Sequence, residues 1–284
     1  MQTGLECNHC LIRRSAGLIS RFEADPSRQR EILREVLELL KNMDYAKPPV
    51  WNGRRIYGLL GRLLGEDDLF RAEKDEQNGA VLKLFGAMEK AVNESSDPFY
   101  AALRYALAGN IIDLGAFKEI DIEGEMRRLV AMPLAADDSE ELRSAAKKAK
   151  RILYLGDNAG EIVADMLFIR QLGGERVTYA VRGGAIINDA TMREAESVGM
   201  TRLCRVISSG VVAPGTILSE ASGEFLREYE RADLIISKGQ GNFEALCDEK
   251  HVGIYFLFVV KCEVVSRHLG YPVKSPLVLR KGET

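Results

Sequence analysis

Apolar positions change rhythm near the middle of the chain. Residues 28–42 (RQREILREVLELLKN) place Ile32, Leu33, Val36, Leu39 and Leu40 at spacings of three and four, the stripe of an amphipathic helix. Pro48-Pro49 interrupts that run. Helical periodicity returns over 54–64 and 68–92, where Asp67 or Asp68 offers a start signal. Asp97-Pro98 opens another helix through Leu107, closed by Gly109-Asn110, and 121–130 and 138–150 read as two more. No convincing strand is legible before about residue 151.

Beyond that point the period shortens. Arg151–Leu155, Arg176–Val181, Leu203–Ile207, Leu234–Ser237 and Gly253–Val259 are short apolar, β-leaning runs. Helical stretches near 159–172, 189–198, 219–231 and 242–248 separate most of them. Such alternation predicts an α/β fold with a doubly wound, mainly parallel sheet, and near-continuous apolar strands fit a sheet covered on both faces. The expected organisation is a helical N-terminal domain over 1–145, capping the carboxyl edge of the sheet, and an α/β domain over 146–284.

Ligands of open parallel sheets bind beyond the carboxyl ends of the strands, so the residues after each run matter most. The first ends in Asp157-Asn158-Ala159-Gly160-Glu161. The second leads to Arg182 and then Asn188-Asp189, the fourth to Lys238-Gly239-Gln240-Gly241-Asn242, and the fifth to Lys261. Asp157 and Asp189 offer hard anionic oxygens and Asn158 a neutral one, a set suited to Mg²⁺ or Mn²⁺. Lys238 and Lys261 carry charge to balance a phosphate, and the glycine turns at 156 and 239 present helix N-termini to an anion. Arg182 and Asn242 join them as candidate substrate contacts, and Asn110 is a candidate reaching in from the helical half. The chemistry expected is phosphoryl hydrolysis, with a cation holding a phosphate oxygen and activating water. A plainer alternative makes Asp157 or Asn158, with Glu161, and Asn188 or Asp189 the caps of the following helices.

Composition narrows the classes. In 284 residues, 39 Lys and Arg against 42 Asp and Glu give a net charge of −3, which argues against nucleic acid as partner. The longest apolar run, Val252–Val260, is far short of the roughly 20 residues of a membrane span, so no membrane association is expected. The N-terminus lacks a signal-peptide pattern, and five cysteines make a poor disulfide framework, so a cytoplasmic location is expected. No Gly-Lys dipeptide and no Asp-x-Asp occurs, so neither a P-loop nor the usual phosphoaspartate signature is present. Cys7-Asn-His-Cys10 is half a zinc site, a redox pair, or two packed thiols, and spacing alone does not choose.

Gly156-Asp-Asn-Ala-Gly-Glu161, Asn188-Asp189 and Ser237-Lys-Gly-Gln-Gly-Asn242, in this order, resemble the damage-control phosphatases, long labelled domain-of-unknown-function family 89. The likeness spans nearly the whole chain, and Cys7 and Cys10 match the stand-alone microbial branch. The resemblance implies a phosphatase for sugar phosphates or damaged cofactor intermediates served by one divalent ion, Mn²⁺, Co²⁺, Ni²⁺ or Mg²⁺. It implies that Asp157, Asn158 and Asp189 hold the metal, with Asp157, Asp189 and Lys261 catalytic. Lys261 matches the lysine of an Arg-Thr-x-Lys motif in the eukaryotic branch, but here the stretch is Phe258-Val-Val-Lys261, and Gln240 replaces an aspartate. Both departures point to a different substrate. Two rivals remain: a carboxyl methyltransferase using S-adenosylmethionine, and a non-catalytic binder of a phosphorylated metabolite. Val181-Arg182-Gly183, with no acidic residue after the second strand, speaks against the first.

Overall fold

The computed structural model describes residues 1–109, 122–251 and 253–282. Its N-terminal part is helical: α1 (Glu6–Phe22), α2 (Pro26–Lys41), α3 (Pro49–Leu64), α4 (Arg71–Asn93), α5 (Pro98–Gly109) and α6 (Ile122–Ala131). Local chemistry sets several starts. Asp25 accepts hydrogen bonds from the Ser27 and Arg28 amides ahead of Pro26, and Asp97 accepts one from the Tyr100 amide ahead of Pro98. Pro49 fills the first turn of α3, so the double proline launches this helix five residues before the periodicity becomes clear.

Then follow β1 (Ala136–Asp137), α7 (Ser139–Lys148), β2 (Ile152–Leu155), α8 (Glu161–Leu172), β3 (Val177–Val181), α9 (Met192–Val198), β4 (Arg205–Ser208), α10 (Gly223–Arg231), β5 (Leu234–Lys238), α11 (Gln240–Leu246), β6 (Ile254–Val259), α12 (Glu263–Leu269) and β7 (Pro276–Arg280). The sheet order is β1-β7-β6-β5-β2-β3-β4, parallel except for β6 against β7. All five expected strands are present. The expectation of no strand before residue 151 fails at β1, whose two residues pair with β7 and carry too little pattern to be read locally. The antiparallel β7 and α12 likewise lie outside the predicted elements.

The chain leaves β2 toward β3 and β4, then crosses back to β5 on the other side of β2. This reversal makes the crevice between β2 and β5 the topological switch point. Leu155 pairs with Ser237, so the turns at Gly156-Asp157 and Lys238-Gly239 leave the sheet side by side.

Apolar packing covers both faces. One core joins the sheet to α4 through α9, and α8 lies within it with nearly every side chain buried. A second core sits under α10, α11 and α12. A third binds α1, α2 and α3 to one another. Among the described residues no helix is long and apolar enough to cross a membrane.

Candidate active site at the strand crevice

The turn after β2 places Asp157 at the crevice, and the loop from β3 to α9 folds back against it. The Ala190 amide donates to the Asp157 carbonyl at 2.7 Å, the Ala159 amide to that of Asn188 at 2.9 Å, and Asn158 and Asp189 form an isolated antiparallel bridge. Residues 31 positions apart are thus fastened by main chain before any side chain acts.

Arg182 then ties the carboxylates. Its Nε donates to Asp189 Oδ2 at 2.6 Å and its Nη2 to Asp157 Oδ1 at 3.2 Å. Asn158 Nδ2 donates to Asp157 Oδ2 at 2.8 Å and to Glu161 Oε2 at 3.2 Å, so its carbonyl oxygen is the atom left to act as a ligand. Asp189 is 1% exposed, and its Oδ1 finds no hydrogen-bond donor among the described residues.

Gly239 makes room for this group. It adopts φ +79°, and a Cβ there would lie 2.0 Å from Asp157 Oδ2. Only glycine lets the β5 turn approach the carboxylate so closely.

The capping alternative fails at every helix concerned. Gly160, not Asp157 or Asn158, is the N-cap of α8, and no side chain caps it. At α9 the capping box is Thr191 with Glu194, which leaves Asn188 and Asp189 outside it. Gly239 caps α11. The polar residues at the rim therefore owe their positions to one another.

Three of the expected substrate contacts are buried and bonded inside the protein. Lys238 is fully buried; its ammonium donates to the Ala106 carbonyl and is ion-paired to Glu161 and Asp165. Asp165 also accepts from Tyr154 at 2.7 Å and Tyr179 at 2.9 Å. All three Lys238 donors are committed inside the protein. Asn242 donates to the carbonyls of Gly156 and Lys238 and accepts from Arg182 and Thr216, joining the β2 and β5 turns. Arg182, 3% exposed, spends its guanidinium on Asp157, Asp189, Asn242 and Thr216.

Lys261 is exposed beyond β6, and its amide donates to Gln240 Oε1 at 2.7 Å. Its charge lies close enough to act on both Asp157 and Asp189. Asn110 lies outside the described residues.

The network from Asp189 through Arg182, Asp157, Asn158 and Glu161 to Lys238 and Asp165 holds four carboxyl groups and two buried cations. Burial pushes Asp189 up to about 7 against the pull of Arg182. Burial also raises Asp157, with Glu161 adding to it and Lys261 and Arg182 opposing. Asp165 rises to about 6, burial again outweighing Lys238. The site as it stands is short of positive charge.

Sequence reasoning missed Asp165, Thr216 and the α4 pair Gln77 and Asn78. Asp165 had a signal: it is the one charged residue between Glu161 and Arg170 in an otherwise apolar helix, four positions after Glu161. Gln77 and Asn78 had none, because α4 meets the site only in three dimensions. Asn78 Oδ1 accepts from the Gly160 amide at 2.7 Å, and Gln77 Oε1 lies 3.5 Å from Asn188 Nδ2.

The profile of the damage-control phosphatase ARMT1-like domain matches residues 3–277. The chain belongs to this family. It is 32% identical to damage-control phosphatase PH1575 of Pyrococcus horikoshii over 99% of this chain and 98% of that one. It is 30% identical to a damage-control phosphatase of Archaeoglobus fulgidus, covering 94% and 95% of the two chains. The crystal structure of the Pyrococcus horikoshii protein, described as of the duf89 family, superposes with a TM-score of 0.93 over 99% of this chain and 100% of that one at 31% identity. Family membership accounts for the α/β sheet and for the order of the motifs along it.

All five cysteines are free. Cys7 and Cys10 lie in the first two turns of α1, both half-buried. Burial pushes the Cys7 thiol up to about 11, with Glu244, Cys262 and Cys10 near enough to contribute. Among the described residues no group of three or more His, Cys, Asp or Glu is arranged to hold a metal. The crevice donor set, two carboxylates and an amide, is of a different composition. An open groove of about 680 Å³ lies at the opposite, amino ends of β3 and β4; two of its arginines, Arg170 and Arg205, are paired with Glu89 and with Glu224 and Glu228.

Proposed function

We propose that the protein is a phosphatase dependent on one divalent cation, acting on phosphate monoesters of small metabolites such as sugar phosphates or damaged cofactor intermediates. The observation that carries this reading is the charge imbalance of the crevice: four carboxyl groups against two buried cations, with Asp189 Oδ1 buried and without a hydrogen-bond donor among the described residues. Asp157, Asn158 and Asp189 are the residues that would hold the ion, and oxygen ligands of this kind suit Mg²⁺ or Mn²⁺. Bound there, the cation supplies Lewis-acid stabilisation of phosphoryl charge and lowers the pKa of a water.

The protein's own residues do the rest. Arg182 takes Asp189 Oδ2 and Asp157 Oδ1, which aligns the two carboxylates and leaves Asp189 Oδ1 without a donor among the described residues. Asn242 and Gly239 keep the β2 and β5 turns in register around Asp157. Lys261, exposed at the mouth, neutralises the incoming phosphate. The buried Lys238–Glu161–Asp165 cluster anchors α8, whose first turn carries Glu161 against Asn158.

A panel of phosphate esters with and without Mn²⁺ tests the reading. Release of phosphate that needs Mn²⁺ and disappears in Asp157→Asn, with the fold retained, is the expected result. Wild-type turnover in that variant overturns the assignment. Binding without hydrolysis across the panel favours the non-catalytic alternative.

A further inference from the structure

The helical half brings one polar side chain to the crevice whose hydrogen bonding is incomplete. Asn78 on α4 is 4% exposed. Its Oδ1 accepts from the Gly160 amide at 2.7 Å, and because a backbone N–H can only donate, the identity of both side-chain atoms is fixed. Nδ2, on the same carbon, therefore lies beside the same turn, two residues after Asn158. It finds no acceptor among the described residues. Buried donors are rarely left this way, and each exception calls for an explanation. The surroundings place this one at the rim of the crevice. Gln77 packs against Gly160, where a Cβ would meet its Cβ at 3.3 Å, and its Oε1 lies 3.5 Å from Asn188 Nδ2 on the loop carrying Asp189. The two α4 residues thus span the loops that hold Asp157-Asn158 and Asp189.

We propose that Asn78 Nδ2 donates a hydrogen bond to the phosphoryl group of the bound substrate, making α4 part of the phosphate site. Asn78 then has two tasks: its oxygen fixes the Gly160 turn, and its nitrogen binds the ligand. The inference rests on the phosphatase reading above. It predicts recognition of the phosphoryl group itself, so its loss affects every ester alike.

Asn78→Asp keeps the acceptor for Gly160 and replaces the donor; Asn78→Ala removes both. With Mn²⁺ saturating, both variants are expected to raise the inhibition constant of inorganic phosphate and the KM of every ester tenfold or more. Mn²⁺ affinity should stay near wild type in Asn78→Ala, whose Tm falls by a few degrees because the buried Gly160 amide loses its acceptor. Phosphate inhibition and KM within twofold of wild type in a folded variant overturn the proposal, as does a fall in Mn²⁺ affinity that accounts for the whole effect. If neither variant folds, the side-chain amide resonances of Asn78 in selectively labelled wild-type protein decide: they must shift on adding phosphate, and unmoved signals overturn the proposal. Asp157→Asn serves as control. If it retains wild-type turnover, the metal assignment to Asp157 fails, and if wild type itself releases no phosphate from any ester, the phosphatase reading fails and takes this proposal with it; if wild type is active and Asp157→Asn inactive while the Asn78 variants behave as wild type, only this proposal fails.

Discussion

Replacing Lys238 by methionine separates a buried anchor from a phosphate contact. The ammonium is enclosed by Glu161, Asp165 and the Ala106 carbonyl, and neither it nor the two carboxylates has appreciable exposure. Methionine fills most of the same volume, so little packing is lost. What changes is charge: Glu161 and Asp165 keep Asn158, Tyr154 and Tyr179 as partners but lose their counter-ion. Breaking a buried pair from one side costs about 3–5 kcal/mol. At roughly 2–4 °C per kcal/mol for a chain of this size class, Tm should fall by roughly 6–20 °C. Protonating Asp165, already raised to about 6, relieves part of the loss, so the deficit should shrink as the pH is lowered toward 5. Differential scanning calorimetry between pH 5 and 8 measures both effects. A Lys238→Met protein with unchanged Tm and a defect confined to KM would refute this reasoning and return Lys238 to the substrate.

Gly239→Ala forces a methyl group to within 2.0 Å of Asp157 Oδ2 and places alanine at φ +79° and ψ 153°. The backbone strain costs about 1–3 kcal/mol, and the carboxylate must move by an ångström or more, a displacement expected to lower kcat/KM by about 100-fold; steady-state kinetics beside a melting curve check both. Burial raises Glu244 to about 7 from an ordinary 4.5, so its contribution to stability is full below pH 4.5 and is lost as the pH rises through 7. Glu244→Gln, which still accepts from Gln240, should match wild type near pH 4.5 and gain up to about 3 kcal/mol above pH 7, read by urea denaturation at several pH values.

Much of the sheet was legible because parallel strands covered on both faces write themselves as apolar runs. Ile152–Leu155 and Leu234–Lys238 are buried throughout, and their pattern needs no context. The two-residue β1 and the antiparallel β7 depend on pairing partners far along the chain, which no local period records. At the site, the strand-end rule brought Asp157, Asn158 and Asp189 to one rim, and the main-chain bridge between Asn158 and Asp189 joins them there. The same rule misjudged depth. Lys238 is the last residue of β5, so its side chain turns under the sheet edge toward α8, whereas Lys261 lies two residues past β6 and reaches solvent. Whether a charge is spent inside the protein depends on what faces it. Here that is Glu161 and Asp165 from α8, and only the packed structure supplies this. Asn78 is the extreme case: a polar residue in mid-helix whose significance comes wholly from the turn against which α4 packs.

The location of the cation is the most direct test of the account. Crystals soaked in Mn²⁺, with anomalous data collected at the manganese edge, should show one strong peak in the crevice, bonded to Asp157, Asn158 and Asp189 Oδ1. A peak elsewhere, or an empty crevice in which Arg182 alone bridges the two carboxylates at saturating Mn²⁺, would contradict it.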